Sequence, residues 1–157
     1  MMVIVAGVGC ARHAATAVTN AVPTGDAPSL VVGAFADDYG SAYLISRTEW
    51  RQDTQTRYRI VEWHTDSQFV IAQNAPTNAS DANQWTRIDW IPLPGNAPYT
   101  WGYCLSAYNA PTKLAARNTH IAQPASPRTG CNGFPFSRMK PTAGSNTSHS
   151  TSGKDIL

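Results

Sequence analysis

Tyr99-Thr100-Trp101-Gly102-Tyr103-Cys104-Leu105-Ser106-Ala107-Tyr108 is the stretch on which the reading of the fold turns. Tyr99, Trp101, Tyr103 and Leu105 alternate with Thr100, Gly102, Cys104 and Ser106. With the two-residue repeat of a β-strand, that order puts rings on one face and small side chains on the other. Just before it, Pro92, Pro94, Gly95 and Pro98 forbid regular pairing, because proline has no amide to donate.

Working outward, Leu30 to Ala36, Ser41 to Trp50, Arg57 to His64, Phe69 to Gln73, Gln84 to Ile91 and Cys131 to Arg138 are similar short runs rich in Val, Ile, Thr, Tyr and Trp. Turn residues separate them: Asp37-Asp38-Tyr39-Gly40, Gln52-Asp53-Thr54-Gln55, Asp66-Ser67 and a longer loop from Asn74 to Asn83. Together they predict an all-β domain, a small antiparallel meander of about seven strands. Closing the meander into a barrel removes the exposed edges that template aggregation. A two-sheet β-sandwich is the alternative. Residues 111–118 (PTKLAARN) read as a short helix capped by Thr112, whose hydroxyl can accept from a free amide of the first turn.

A chain of 157 residues suits one domain. Only 14% of residues are charged and 42% are hydrophobic, which excludes a charge-rich disordered chain or a coiled coil. The net charge is +2 and the basic residues are scattered singly, so no cationic stripe marks a nucleic-acid partner.

The first ten residues, Met1 to Cys10, form an apolar run too short to span a bilayer, which takes about 20 residues. An apolar stretch ending in small residues is signal-like, and Val8-Gly9-Cys10 resembles the bacterial lipobox. That resemblance implies lipidation of Cys10. Residues 11–29 read as a flexible tether, residues 30–139 as the barrel and residues 140–157, rich in Ser, Thr and Gly, as a disordered tail. Of the three cysteines, Cys104 and Cys131 fall in segments that look folded and can pair, leaving Cys10 over. Exported, lipid-anchored localisation in the cell envelope, or release outside the cell, follows as the expectation.

The runs DYGSAYLISRTEW, IAQN, QWTRIDW, YCLSAYNAPT and GCNGFPFS are similar to a pattern in small secreted or lipid-anchored bacterial domains of uncharacterised function. In that group the equivalents of Cys104 and Cys131 recur, which the resemblance adds to the pairing argued above. It implies no activity. By architecture alone the barrel is also similar to lipocalin-like and avidin-like folds, and fold does not determine function.

For catalysis, Glu62 and His64 lie two apart on one strand and so project from one face, where a carboxylate can orient an imidazole. No nucleophile elbow, zinc motif or phosphate-cradling glycine loop accompanies them, and neither metal nor cofactor is expected. Arg87 and Asp89 share a face in the same way, bracketed by Trp85 and Trp90, and read as an ion pair or as a planar donor beside rings. The aromatic set is richer than a core of about 110 residues requires: Trp50, Trp63, Trp85, Trp90 and Trp101 with Tyr43, Tyr58, Tyr99 and Tyr103. Gln73 and Asn74 can supply the oriented amides that binding sites place among apolar walls. The expected function is a non-enzymatic binding domain for a small molecule, a glycan or an envelope protein. Its candidate residues are Trp50, Trp63, Gln73, Asn74, Trp85, Arg87, Asp89, Trp90, Trp101 and Tyr103. The alternatives are an envelope interaction or structural module, and a hydrolase-like enzyme using Glu62 and His64.

Overall fold

The computed structural model describes residues 21–142. The signal-like segment, Cys10, the first half of the expected tether and residues 143–157 lie outside the described residues. In chain order the elements are β1 (Gly33–Asp37), β2 (Ala42–Ile45), β3 (Glu49–Gln52), β4 (Thr56–His64), β5 (Phe69–Asn74), β6 (Trp85–Pro92), β7 (Trp101–Ala110), α1 (Lys113–Arg117) and β8 (Ser137–Pro141). Each strand pairs antiparallel with the next, and β8 returns to β1 through Asp37 opposite Met139, which closes the barrel. The all-β meander barrel with one short helix is thus the architecture, and the sandwich is not.

The barrel has eight strands because the second expected strand is two. Ser46 bends the chain between β2 and β3: its Oγ accepts from the amides of Thr48 and Glu49, at 3.2 and 3.0 Å, which is a turn made by a side chain rather than by glycine. At the other end, Cys131 to Phe134 is a tight turn rather than the start of the last strand. Asn132 and Gly133 take positive φ there, and Cys131 and Phe134 exchange both backbone hydrogen bonds at 2.9 Å. The last strand starts at Ser137 and runs on through Lys140 and Pro141, which pair with Ala36 and Phe35, so the barrel extends past the expected limit.

The end of the expected tether is also fastened. Thr24 donates to the Val61 carbonyl at 3.1 Å and accepts from the Trp63 amide at 2.8 Å, at the bulge that interrupts β4 between Ile60 and Glu62. Gly25 is required here, since a Cβ would run into the Trp63 carbonyl oxygen. Val31, fully buried, then plugs this end of the core.

Inward positions of the strands carry Phe35, Tyr43, Ile45, Trp50, Tyr58, Ile60, Trp63, Val70, Ile88, Trp90, Trp101, Tyr103 and Met139, the main core. On the outside, α1 covers β5, β6 and β7, burying Ala116 against Phe69, Ile71 and Ala110. Thr112 caps it as expected, accepting from the Ala115 amide at 3.1 Å.

Cys104 and Cys131 are joined. Because Cys131 lies outside the strands, the bond clamps the long α1–β8 connection onto the outer face of β7 instead of stapling two strands. Cross-linking residues 27 apart removes about 3.5 kcal/mol of unfolded-chain freedom in the chain-entropy model. The pair of substitutions Cys104→Ala and Cys131→Ala is expected to lower unfolding free energy by that order. Urea unfolding should show the same loss when the unsubstituted protein is reduced, and no change on reducing the variant.

Candidate functional site

Most of the aromatic candidates are structural neighbours of one another. Trp50, Trp63, Trp90, Trp101 and Tyr103 are buried inside the barrel. Trp50 meets Trp101 edge to face at 5.8 Å and Tyr103 at 5.5 Å, and Trp63 meets Trp90 at 5.9 Å, the geometry that ring quadrupoles favour. These rings fill the interior. Trp63 Nε1 donates to the Arg47 carbonyl at 2.9 Å and so holds the β2–β3 turn.

The polar tips at one end of this stack form a chain. Tyr43 and Tyr103 hydroxyls lie 2.7 Å apart, and the Tyr43 hydroxyl donates to Asp37 Oδ2 at 2.9 Å. Asp37 Oδ1 accepts the amides of Tyr39 and Ser41, at 3.0 and 2.8 Å, which sets the β1–β2 turn. Burial pushes the Tyr43 phenol well above its ordinary range and raises that of Tyr103. They act here as neutral hydrogen-bonding groups.

The charged candidates converge on the outer face under α1. His64 stacks on Phe69 at 4.2 Å from β4, and the Arg87 guanidinium lies over the same ring at 3.8 Å from β6. Arg87 Nε and Nη2 bind both oxygens of Asp89, at 2.9 and 2.7 Å, and its Nη1 donates to the Arg117 carbonyl at 2.7 Å. Ser106 Oγ completes the set on Asp89 at 2.5 Å. Glu62 accepts from Lys113 Nζ at 2.9 Å, from His64 Nε2 at 3.0 Å and from Arg117 Nη2. Both pairs therefore bind the helix to the barrel. Trp85, half-buried on this face opposite Gln73, packs against the same cluster.

Burial alone would raise the Glu62 carboxyl, but hydrogen bonds from Arg117, His64 and Lys113 outweigh it and hold the group at about 2, against an ordinary 4.5. A carboxylate this acidic is a helix anchor and a poor proton acceptor near neutrality. The folded value is the depressed one, so the stability it contributes is complete above pH 4.5 and is lost as pH falls towards 2. Glu62→Gln is expected to cost about 1–2 kcal/mol at neutral pH, a modest figure because Lys113 and Arg117 are partly solvated. In urea titrations between those pH limits the variant should show a flatter acid limb than the unsubstituted chain.

Asn74 is fully engaged: its Nδ2 donates to the Asp81 and Tyr108 carbonyls at 2.8 Å, and its Oδ1 accepts from Thr86 at 2.5 Å. It fixes the β5–β6 loop. Gln73 accepts from Arg59 at 2.8 Å and, with Arg57, Arg59 and Glu49, borders an open cleft of about 710 Å³.

A further groove is rimmed by residues that the sequence analysis did not name as candidates. Beyond Tyr103, β7 has β6 on one side and no strand on the other, because β8 pairs only with Trp101 to Tyr103. Along that open edge runs a groove of about 560 Å³ walled by Tyr103, Leu105, Ile121 and the Cys104–Cys131 bond. Its rim holds Tyr39, Tyr108 and Phe134, exposed by 75%, 53% and 71%. These are the aromatic residues in the exposed class among the described residues, and all three meet at this groove. The Asn132 amide and the Ser137 hydroxyl stand beside them. A signal for two of them was present: Tyr39 and Phe134 sit on turns, where a ring has no layer to be buried under.

Compared with known protein families, with curated proteins and with solved structures, the chain has no match.

Proposed function

We propose that the protein is a non-enzymatic binding domain, exported and held at the bacterial envelope through lipid on Cys10, whose groove takes a glycan. The observation that carries the reading is the convergence of Tyr39, Tyr108 and Phe134 on one groove beside an open strand edge. Sugar rings have apolar C–H faces that aromatic rings cover and hydroxyls that polar side chains satisfy, and this groove sets the Asn132 and Ser137 side chains beside its rings. Exposed rings are otherwise a solubility cost that a surface of this size avoids. The disulfide supports an oxidising compartment, and the Val8-Gly9-Cys10 resemblance supports the anchor.

The test is an NMR titration of the labelled chain with cello-, chito-, malto- and galacturono-oligosaccharides. Amide shifts confined to Tyr39, Leu105 to Tyr108 and Asn132 to Ser137 are expected for at least one series. The double substitution Tyr39→Ala and Phe134→Ala should abolish them while leaving the unfolding midpoint unchanged. Absence of shifts with every series, or shifts that survive the double substitution, overturns the reading.

A further inference from the structure

Pro135 lines the aromatic groove and also a second cleft of about 590 Å³, whose lining includes Asp38, next to Tyr39, and Arg138, next to Ser137. The floor of this second cleft is apolar, made by Leu93 and Phe136, which pack with Ile91 and the Cys104–Cys131 bond in a small core outside the barrel. Its polar residues include two arginines, and they are not in the same state.

Arg138 is committed. Its Nε donates to Asp38 Oδ2 at 2.9 Å, its amide donates to Asp38 Oδ1 at 3.1 Å, and its guanidinium lies 4.5 Å over Tyr99. That leaves Asp38, the one carboxylate in the cleft lining, neutralised by a partner of its own. Arg128 has neither ion pair nor hydrogen bond among the described residues. It is not on a loose loop, however. The Thr129 and Gly130 amides donate to the Ser126 carbonyl, Gly133 donates to Thr129 and Phe136 donates to Pro127, and the disulfide holds Cys131 just beyond. A permanently charged, planar donor is thus presented from a braced turn beside an apolar floor, with the local negative charge already spent.

Resting on the reading of the aromatic groove as a glycan site, we infer that its ligand is a carboxylate-bearing glycan, with sugar faces on Tyr39, Tyr108 and Phe134 and a carboxylate on Arg128. The charge complementarity is direct: the cleft adjoining the groove at Pro135 has an unpaired guanidinium, and a uronic acid unit supplies the two oxygens to which its fork can donate. Binding energy then divides between ring stacking, which salt leaves alone, and an exposed charge contact, which salt screens.

The experiment uses the full chain and oligogalacturonate, oligoalginate and oligoglucuronate hexamers, each paired with its methyl-esterified form, titrated by calorimetry at about 50 and about 500 mM salt. At least one acid form should bind about tenfold more tightly than its ester at low salt, with the gap closing at high salt. Arg128→Gln should erase the gap and leave the affinity of the ester unchanged. Equal affinity for acid and ester, or a gap that survives Arg128→Gln, overturns the carboxylate assignment while the glycan reading stands. If neither form of any hexamer binds and the neutral series of the NMR titration are also silent, the glycan reading falls and takes this inference with it.

Discussion

Replacing Asp89 by alanine is expected to cost about 3–5 kcal/mol of folding stability, measured by urea unfolding. Asp89 and Arg87 are both 6% exposed, and the guanidinium takes both carboxylate oxygens as well as the Arg117 carbonyl at the end of α1. Removing the carboxylate strands a buried charge under the helix, and leaves Ser106 Oγ only the weaker Cys104 sulfur as an acceptor. The expected loss is that of an orphaned ion, which differs from the net worth of the pair. The double substitution Arg87→Met and Asp89→Leu, which removes both charges and keeps apolar volume against Phe69, should therefore cost less than Asp89→Ala alone. A double variant at least as unstable as the single one would show that the contact itself, and not the stranded charge, carries the energy.

How far these features were legible differs from residue to residue. The alternation of Tyr99 to Leu105 determines the inward face of β7, and Trp101 and Tyr103 do point into the barrel, because period-two order leaves no other way to bury both rings. Arg87 and Asp89 were readable as a pair for the same reason. What lay over them was not: nothing local in PTKLAARN says that Arg117 and Lys113 reach Glu62, since that contact depends on where the barrel surface passes beneath the helix. The β2–β3 turn was hidden because Ser46 makes it with a hydroxyl, whereas glycine and proline are the usual marks. Asn132-Gly133, by contrast, carried an ordinary hairpin signal that the cysteine beside it obscured. The abundance of tryptophan pointed correctly to an aromatic-rich domain, but abundance cannot separate rings that fill a barrel from rings that face a ligand. Position relative to turns can, as Tyr39 and Phe134 show.

That separation gives the second large prediction. Trp101→Ala is expected to lose about 3–5 kcal/mol, because the residue is fully buried and its ring is the common neighbour of Phe35, Trp50 and Tyr103, at 5.2, 5.8 and 6.5 Å. Removing it opens a cavity that a closed barrel cannot collapse, since neighbouring strands are hydrogen-bonded on both sides and their rings are already in contact edge to face. Tyr108→Ala and Phe134→Ala should each stay within about 0.5 kcal/mol of the unsubstituted chain, because those rings bury little surface on folding. Thermal and urea unfolding of the three variants, run beside the oligosaccharide titration, test the division directly. Core substitutions should act on stability, and rim substitutions on binding at unchanged stability. If Phe134→Ala were as destabilising as Trp101→Ala, the rim would belong to the packing of the fold, and the groove would lose the exposed rings that mark it as a binding site.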